Sequence, residues 1–256
     1  MIMWELYDAL IEGIPDDIIV DGIVVGGEMT YVEANGGIGL TSYRDYVQRA
    51  PMMTENRIGK PLKEVAGCVK SWNFREASIG HAAINAWYNH PDTARKAGIE
   101  IAEKKRVEER LKDPFIKSQN VVKGRKVCVV GHFPFLEKLI APVCDLCIVE
   151  WDPEEGDYPY SACEYLLPES DYAFLTCAAV GDKSMPRLLE LSENAKGVTI
   201  VGPGTPLSSV FFDYGVTDLS GFVVTDVTLA RRIVAGAESR RIFGAGMKVE
   251  YLRPEV

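Results

Sequence analysis

Hydrophobic residues in the first forty positions come in short β-branched runs cut by glycines. Ile18-Ile19-Val20 and Gly22-Ile23-Val24-Val25 lead through Gly26-Gly27 to Glu28-Met29-Thr30-Tyr31-Val32-Glu33, and glycines recur over 36–39. Runs of this kind, bounded by glycine, predict strand, turn, strand and loop, an antiparallel meander behind an amphipathic opening helix. At Ser78 the period changes. Apolar residues at 79, 82, 83, 86 and 87 follow helical spacing, with Ser78 as the N-cap. A second helix is predicted over 92–112, whose mixed-sign run at 103–110 reads as a solvated face, and Asp113-Pro114 ends it. The first half is therefore α+β over 1–112, with a linker at 113–123.

Beyond the linker the pattern alternates. Apolar runs at 126–130, 146–150, 172–176, 198–201 and 222–225 predict strands, and the stretches 136–141, 185–194 and 229–235 predict helices between them. Short strands that do not alternate in polarity belong to a parallel sheet covered on both faces, so 124–256 reads as a doubly wound α/β domain. In such sheets ligands collect beyond the carboxyl ends of the strands, where strand order reverses. The residues just after each strand are the ones to examine.

After the first of these strands comes Gly131-His132-Phe133-Pro134. A dinucleotide fingerprint needs Gly-x-Gly-x-x-Gly for close approach of backbone to pyrophosphate, and only its first glycine is present, so NAD in its usual mode is disfavoured. A helix start beyond Pro134 would still offer N–H groups to a small anion, with His132 as a titratable group at the rim, unless the loop is a tight turn with an incidental histidine. The second strand ends in Glu150, which reads either as an acceptor for a ribose diol or as a solvated strand end. Thr176 is the hydroxyl in the small-residue loop after the third. The fourth runs into Gly202-Pro203-Gly204-Thr205-Pro206, a rigid loop that reads as an anion or carboxylate cradle or as a structural turn. Asp226 reads as the cap of the next helix. In the first half, Asn85 lies among alanines on the helix, either a packing amide or a side chain facing an interdomain groove. Glu28, Tyr31, Thr41 and Ser42 are weaker candidates.

Charge and cysteines narrow the setting. Lys+Arg 28 against Asp+Glu 37 gives a net charge of −9, which argues against a nucleic-acid partner. The opening lacks a basic n-region and no run reaches membrane-spanning length, so a cytoplasmic protein without a membrane partner is expected. The six cysteines then suit reduced thiols. Cys144 and Cys147, the one close pair, read as small buried hydrophobes rather than a metal or redox motif. His81 and His90 are out of phase on a continuous helix and do not share a metal. No zinc, P-loop or nucleophile-elbow motif occurs. A homodimer is the commonest assembly for such a chain.

Together, Ser78-Ile79-Gly80-His81-Ala82-Ala83-Ile84-Asn85 in an α+β half, Val130-Gly131-His132-Phe133-Pro134, Glu150, Thr176 and Gly202-Pro203-Gly204-Thr205-Pro206 resemble a prokaryotic heavy-metal chelation family. The resemblance spans nearly the whole chain. It implies an enolase N-terminal-like domain joined to a Rossmann-like domain, with those residues facing a cleft between the two. The implied occupant is a heavy-metal ion, a metal–chelator complex or a small anionic ligand. The alternative is an enzyme acting there on a small molecule or nucleotide-like cofactor, with His132 or Glu150 as acid or base. Nothing resembles the enolase barrel, so enolase chemistry is not carried over.

Overall fold

The computed structural model describes residues 4–42, 49–103 and 113–254. In the first half, β1 (Val20–Val25), β2 (Met29–Ala34) and β3 (Gly37–Ser42) form an antiparallel sheet in the order β1-β2-β3, accompanied by α1 (Glu5–Glu12), α2 (Leu62–Ala66), α3 (Phe74–Tyr88) and α4 (Pro91–Lys96). The expected loop at 36–39 is instead the start of β3. Its glycines serve close packing: a Cβ on Gly39 would come within 2.0 Å of the Ala82 carbonyl oxygen on α3. Ile18 and Ile19 stay outside β1, Ile19 making only an isolated bridge to Pro61.

Helix α3 is buried on every side between Glu76 and Ala86, as expected of a helix whose faces are all small or apolar. Its N-cap is Asn73, which accepts from the Glu76 N–H, rather than Ser78. Ser78 lies one turn inside, returning its hydroxyl to the Arg75 carbonyl. The helix expected over 92–112 stops at Lys96: Gly98 takes a left-handed φ of +84°, and the N–H groups of Gly98 and Ile99 close back on Arg95 and Ala94. Residues 104–112 lie outside the described residues. The 113–123 segment contains α5 (Pro114–Ser118), which buries Phe115 against Phe133 and Phe174 at ring distances of 5.3 and 5.2 Å.

The second sheet has seven strands: β4 (Lys126–Val130), β5 (Asp145–Glu150), β6 (Tyr158–Pro159), β7 (Tyr172–Thr176), β8 (Gly197–Val201), β9 (Asp218–Val224) and β10 (Gly246–Leu252). Their order is β10-β9-β8-β7-β4-β5-β6, parallel throughout except for β10 on β9. Helices α6 (Leu136–Leu139), α7 (Cys163–Leu166), α8 (Ala178–Asp182), α9 (Met185–Leu191) and α10 (Val227–Val234) connect them. Alternate residues explain the unbroken apolar runs. Val127, Val129, Ile148 and Phe174 pack with Phe115, Leu136 and Ile140, whereas Cys128, Val130, Val149, Ala173 and Leu175 join a cluster that includes α9 and α3. Both faces are therefore buried. That second cluster crosses from one sheet to the other, so the two halves share one core. A smaller cluster pins Phe222 and Val224 of β9 to Tyr31, Ile38 and Leu40 of the first sheet.

Strand order reverses at β4, with β5 on one side and β7 on the other. The switch point lies at the carboxyl ends of β4 and β7. Among the described residues no helix is long and apolar enough to cross a membrane.

Candidate functional site

Glu150 and Thr176 end β5 and β7, and Gly131 and Gly202 follow β4 and β8; the four strands are adjacent, so sheet order alone sets these residues side by side along one edge. Gly131 takes φ +107°, and a Cβ there would stand 3.0 Å from the Thr176 Cβ. Across the next step, a Cβ on Gly202 would meet the Cys177 sulfur at 2.4 Å. Side chains are excluded where neighbouring loops touch, which explains both glycines.

At the β5 end the edge is open and charged. The backbone N–H groups of His132 and Trp151 donate to Glu150 at 2.9 and 2.6 Å, fixing that carboxylate across the β4–β5 gap. The His132 Nδ1 donates to Asp157 at 2.8 Å, and Nε2 faces Glu137 at 3.1 Å. The Asp157 side chain is only 3% exposed and also accepts from the Glu154 N–H. Its hydrogen bond holds His132 above the usual histidine range. Trp151 stacks on Tyr160 at 4.1 Å and leaves half of its indole exposed. The helix start expected beyond Pro134 is α6, a single turn whose dipole is correspondingly small. Phe133 is half-buried beside Phe115, and Pro134 is exposed.

At the β8 end the same edge is closed. Asn85, fully buried, donates through Nδ2 to the Leu40 and Gly204 carbonyls at 2.7 and 2.9 Å. His81, one turn earlier, holds the Gly204 carbonyl at 2.8 Å through Nε2 and the Thr41 hydroxyl at 2.9 Å through Nδ1. The imidazole is neutral, its pKa pushed down to about 4 by burial, so Nε2 is the donor and Nδ1 the acceptor. One turn later, Asn89 donates to the Thr205 carbonyl and accepts from the Leu207 N–H. The 202–206 loop therefore turns its polar groups inward: the Thr205 N–H is used by Gly202, and Gly204 to Pro206 are buried. Two atoms are left over. Asn85 Oδ1 and Thr205 Oγ1 are buried with no oxygen or nitrogen partner. Rotating the Asn85 amide would set its oxygen against two carbonyls, so the orphan is a true acceptor.

Beside the switch point, Lys183 joins the halves. Its ammonium donates to the Ser71 and Gly181 carbonyls and lies over the Trp72 and Phe74 rings at 5.6 and 5.0 Å. Burial lowers it to about 8.

The weaker candidates scatter. Thr41 joins His81, Tyr31 is core, and Glu28 lies on a separate groove. Asp226 caps α10 as expected, accepting from the Leu229 N–H. His90 accepts from Asp92 N–H at the start of α4, remote from His81. Cys144 and Cys147 are half-buried, and burial raises both thiols. Sequence reasoning missed Asp157, Trp151 and Lys183. It also missed the joint role of His81 and Asn89, although spacing of four residues from Asn85 on either side was a readable signal of one helix face.

Comparison with known proteins covers both halves. The DUF364 family model, described as "Putative heavy-metal chelation", matches residues 113–253, and the DUF4213 model, with the same description, matches 7–88. An uncharacterized protein of Methanocaldococcus jannaschii is 27% identical over 229 residues, covering 85% of this chain and 82% of that one. A crystal structure of a DUF364 protein of unknown function from Desulfitobacterium hafniense superposes with a TM-score of 0.91 at 55% identity, covering 98% of this chain and 99% of that one. One from Pyrococcus horikoshii shares the fold at 19% identity with a TM-score of 0.77, covering 99% and 100%.

Proposed function

The chain belongs to the DUF364 family, and from that premise we propose that its β5–β4–β7–β8 edge binds a small organic ligand, with metal arriving as a complex of that ligand. The observation that carries this reading is the engagement of the open-end donors. Both nitrogens of His132 face carboxylates, and the raised pKa favours the imidazolium, which has no lone pair for a metal. Both Glu150 oxygens accept backbone N–H groups. The Cys177 thiol, pushed up to about 11 by burial, is not a thiolate at neutral pH. Among the described residues no group of three or more His, Cys, Asp or Glu could hold an ion. These residues do not fit direct coordination.

They do fit an organic ligand. The exposed face of Trp151 offers a stacking surface, and the remaining lone pairs of Glu150 an acceptor for ligand donors. Native mass spectrometry tests this on protein purified anaerobically without chelators. An organic mass released on denaturation, alone or with metal, is expected. A bare metal mass with no organic component overturns the reading in favour of direct chelation.

A second reading rests on the Asp157–His132 pair. A buried carboxylate that orients an imidazole is the arrangement of a general acid or base, with His132 moving a proton at Nε2. Once a ligand is known, turnover with a pH profile that follows the His132 pKa supports this reading, and unchanged turnover in His132→Gln removes it.

A further inference from the structure

Away from that edge, a cavity of about 590 Å³ opens between the β1–β2 turn, the end of α10 and the segment leading to β10. Its volume lies within the range of small-molecule sites. Met29, Ile233 and Val234 in its floor belong to the cluster that pins the two sheets together, and Phe243, 40% exposed, forms part of its wall. The turn and the helix end meet at backbone contact: a Cβ on Gly26 would lie 2.2 Å from the Val234 carbonyl oxygen.

The charges around this apolar floor are asymmetric. Three of the local arginines are paired: Arg231 with Glu33 at 2.6 Å, and Arg240 and Arg232 with Glu238 at 3.2 and 3.9 Å. Arg241 and Glu28 also line the cavity, and among the described residues neither side chain has an ion-pair or hydrogen-bond partner. Glu28 is in the turn that abuts the end of α10, where the helix dipole adds negative potential. The cavity thus carries an unspent cation, an unspent anion beside a helix C-terminus, and an apolar floor.

We propose that this cavity is a second ligand site that takes a small zwitterion with an apolar body, a free amino acid or dipeptide. The carboxylate goes to the Arg241 guanidinium, the ammonium to Glu28 and the end of α10, and the side chains to Met29, Ile233 and Phe243. The site is independent of the ligand at the β4–β7 switch point.

Titration of the full chain with the dipeptide Leu-Phe, followed by calorimetry, by methyl NMR of Met29 and by indole N–H NMR of Trp151, tests the proposal. Saturable binding is expected, weakened about tenfold by N-acetylation or by C-terminal amidation, since each cap removes one partly exposed charge pair. Arg241→Gln should abolish the effect of amidation while keeping that of acetylation, and Glu28→Gln the reverse. Because neither residue has a partner, both variants should retain the parent's thermal midpoint, which separates lost binding from lost folding. No saturation by about 10 mM, or binding indifferent to both caps, or shifts at Trp151 rather than Met29, overturns the proposal.

Discussion

The two ends of the candidate edge are built from the same kind of sequence, a short loop after a parallel strand, yet they do opposite things with their polar groups. At the β5 end, His132 pairs with Asp157 and gives its backbone N–H to Glu150, beside a rim where Trp151 and Pro134 are exposed. At the β8 end, His81, Asn85 and Asn89 fasten the 202–206 loop to α3 through backbone carbonyls, out of reach of water. One end presents its charged groups at an exposed rim, and the other joins two sheets. The difference follows from what covers each loop: α3 lies directly over the β8 loop, whereas only the one-turn α6 follows the β4 loop.

The largest expected effect is therefore at the buried end. Asn85→Ala strips donors from the Leu40 and Gly204 carbonyls and should cost about 3 kcal/mol in urea denaturation. Asn85→Asp, the same shape, should cost at least as much, because it sets a carboxylate oxygen against those two carbonyls. If either variant is as stable as the parent, the β8 loop is not a weld and belongs with the open end.

A somewhat smaller effect separates the ends by pH. His81 is neutral in the folded protein with its pKa down to about 4, so the unfolded chain binds the proton more readily between pH 6.5 and 4. The His81 contribution is present above pH 6.5 and is lost as pH falls through that window, by about 2–3 kcal/mol. In His81→Gln, urea midpoints at pH 7 and pH 4.5 should lie closer together than in the parent. Equal spacing in both would mean that the imidazole is charged or solvated in the folded state.

How much of this could be read from the chain differs between the halves. The parallel strands were legible because burial on both faces leaves an unbroken apolar signature, and strand order brings the small and acidic residues at their ends to one sheet edge. Strand β3 was misread because Gly37 and Gly39, ordinarily loop formers, are demanded by the close approach of α3, a tertiary cause with no local trace. Strand β10 escaped for a related reason: it is an antiparallel edge added to a parallel sheet, and its alternation of Met247 and Val249 with Lys248 and Glu250 is too short to stand out. The candidate residues were named as one set. Their division into a charged end and a buried end depends on which loop a helix covers, and chain order does not carry that. Asp157 had no signal at all, since it reaches His132 from a turn between β5 and the two-residue β6.

The smallest effect sharpens the open end. Asp157→Asn keeps an oxygen to accept from His132 Nδ1 and from the Glu154 N–H, but removes the negative charge that holds the imidazole above its usual range. A histidine raised in the folded state stabilises below pH 6.5, and that gain disappears as pH rises through the raised folded pKa. The variant should therefore lose about 1 kcal/mol at pH 6, discounted for the partial exposure of His132, and nothing well above the folded pKa. Proton NMR of the His132 ring should show its titration moving down toward that of an ordinary histidine. An unmoved titration would show that Glu137 or solvent, rather than Asp157, sets the charge on His132, and the ordered acid–base pair at the open end would no longer distinguish it from a solvated loop.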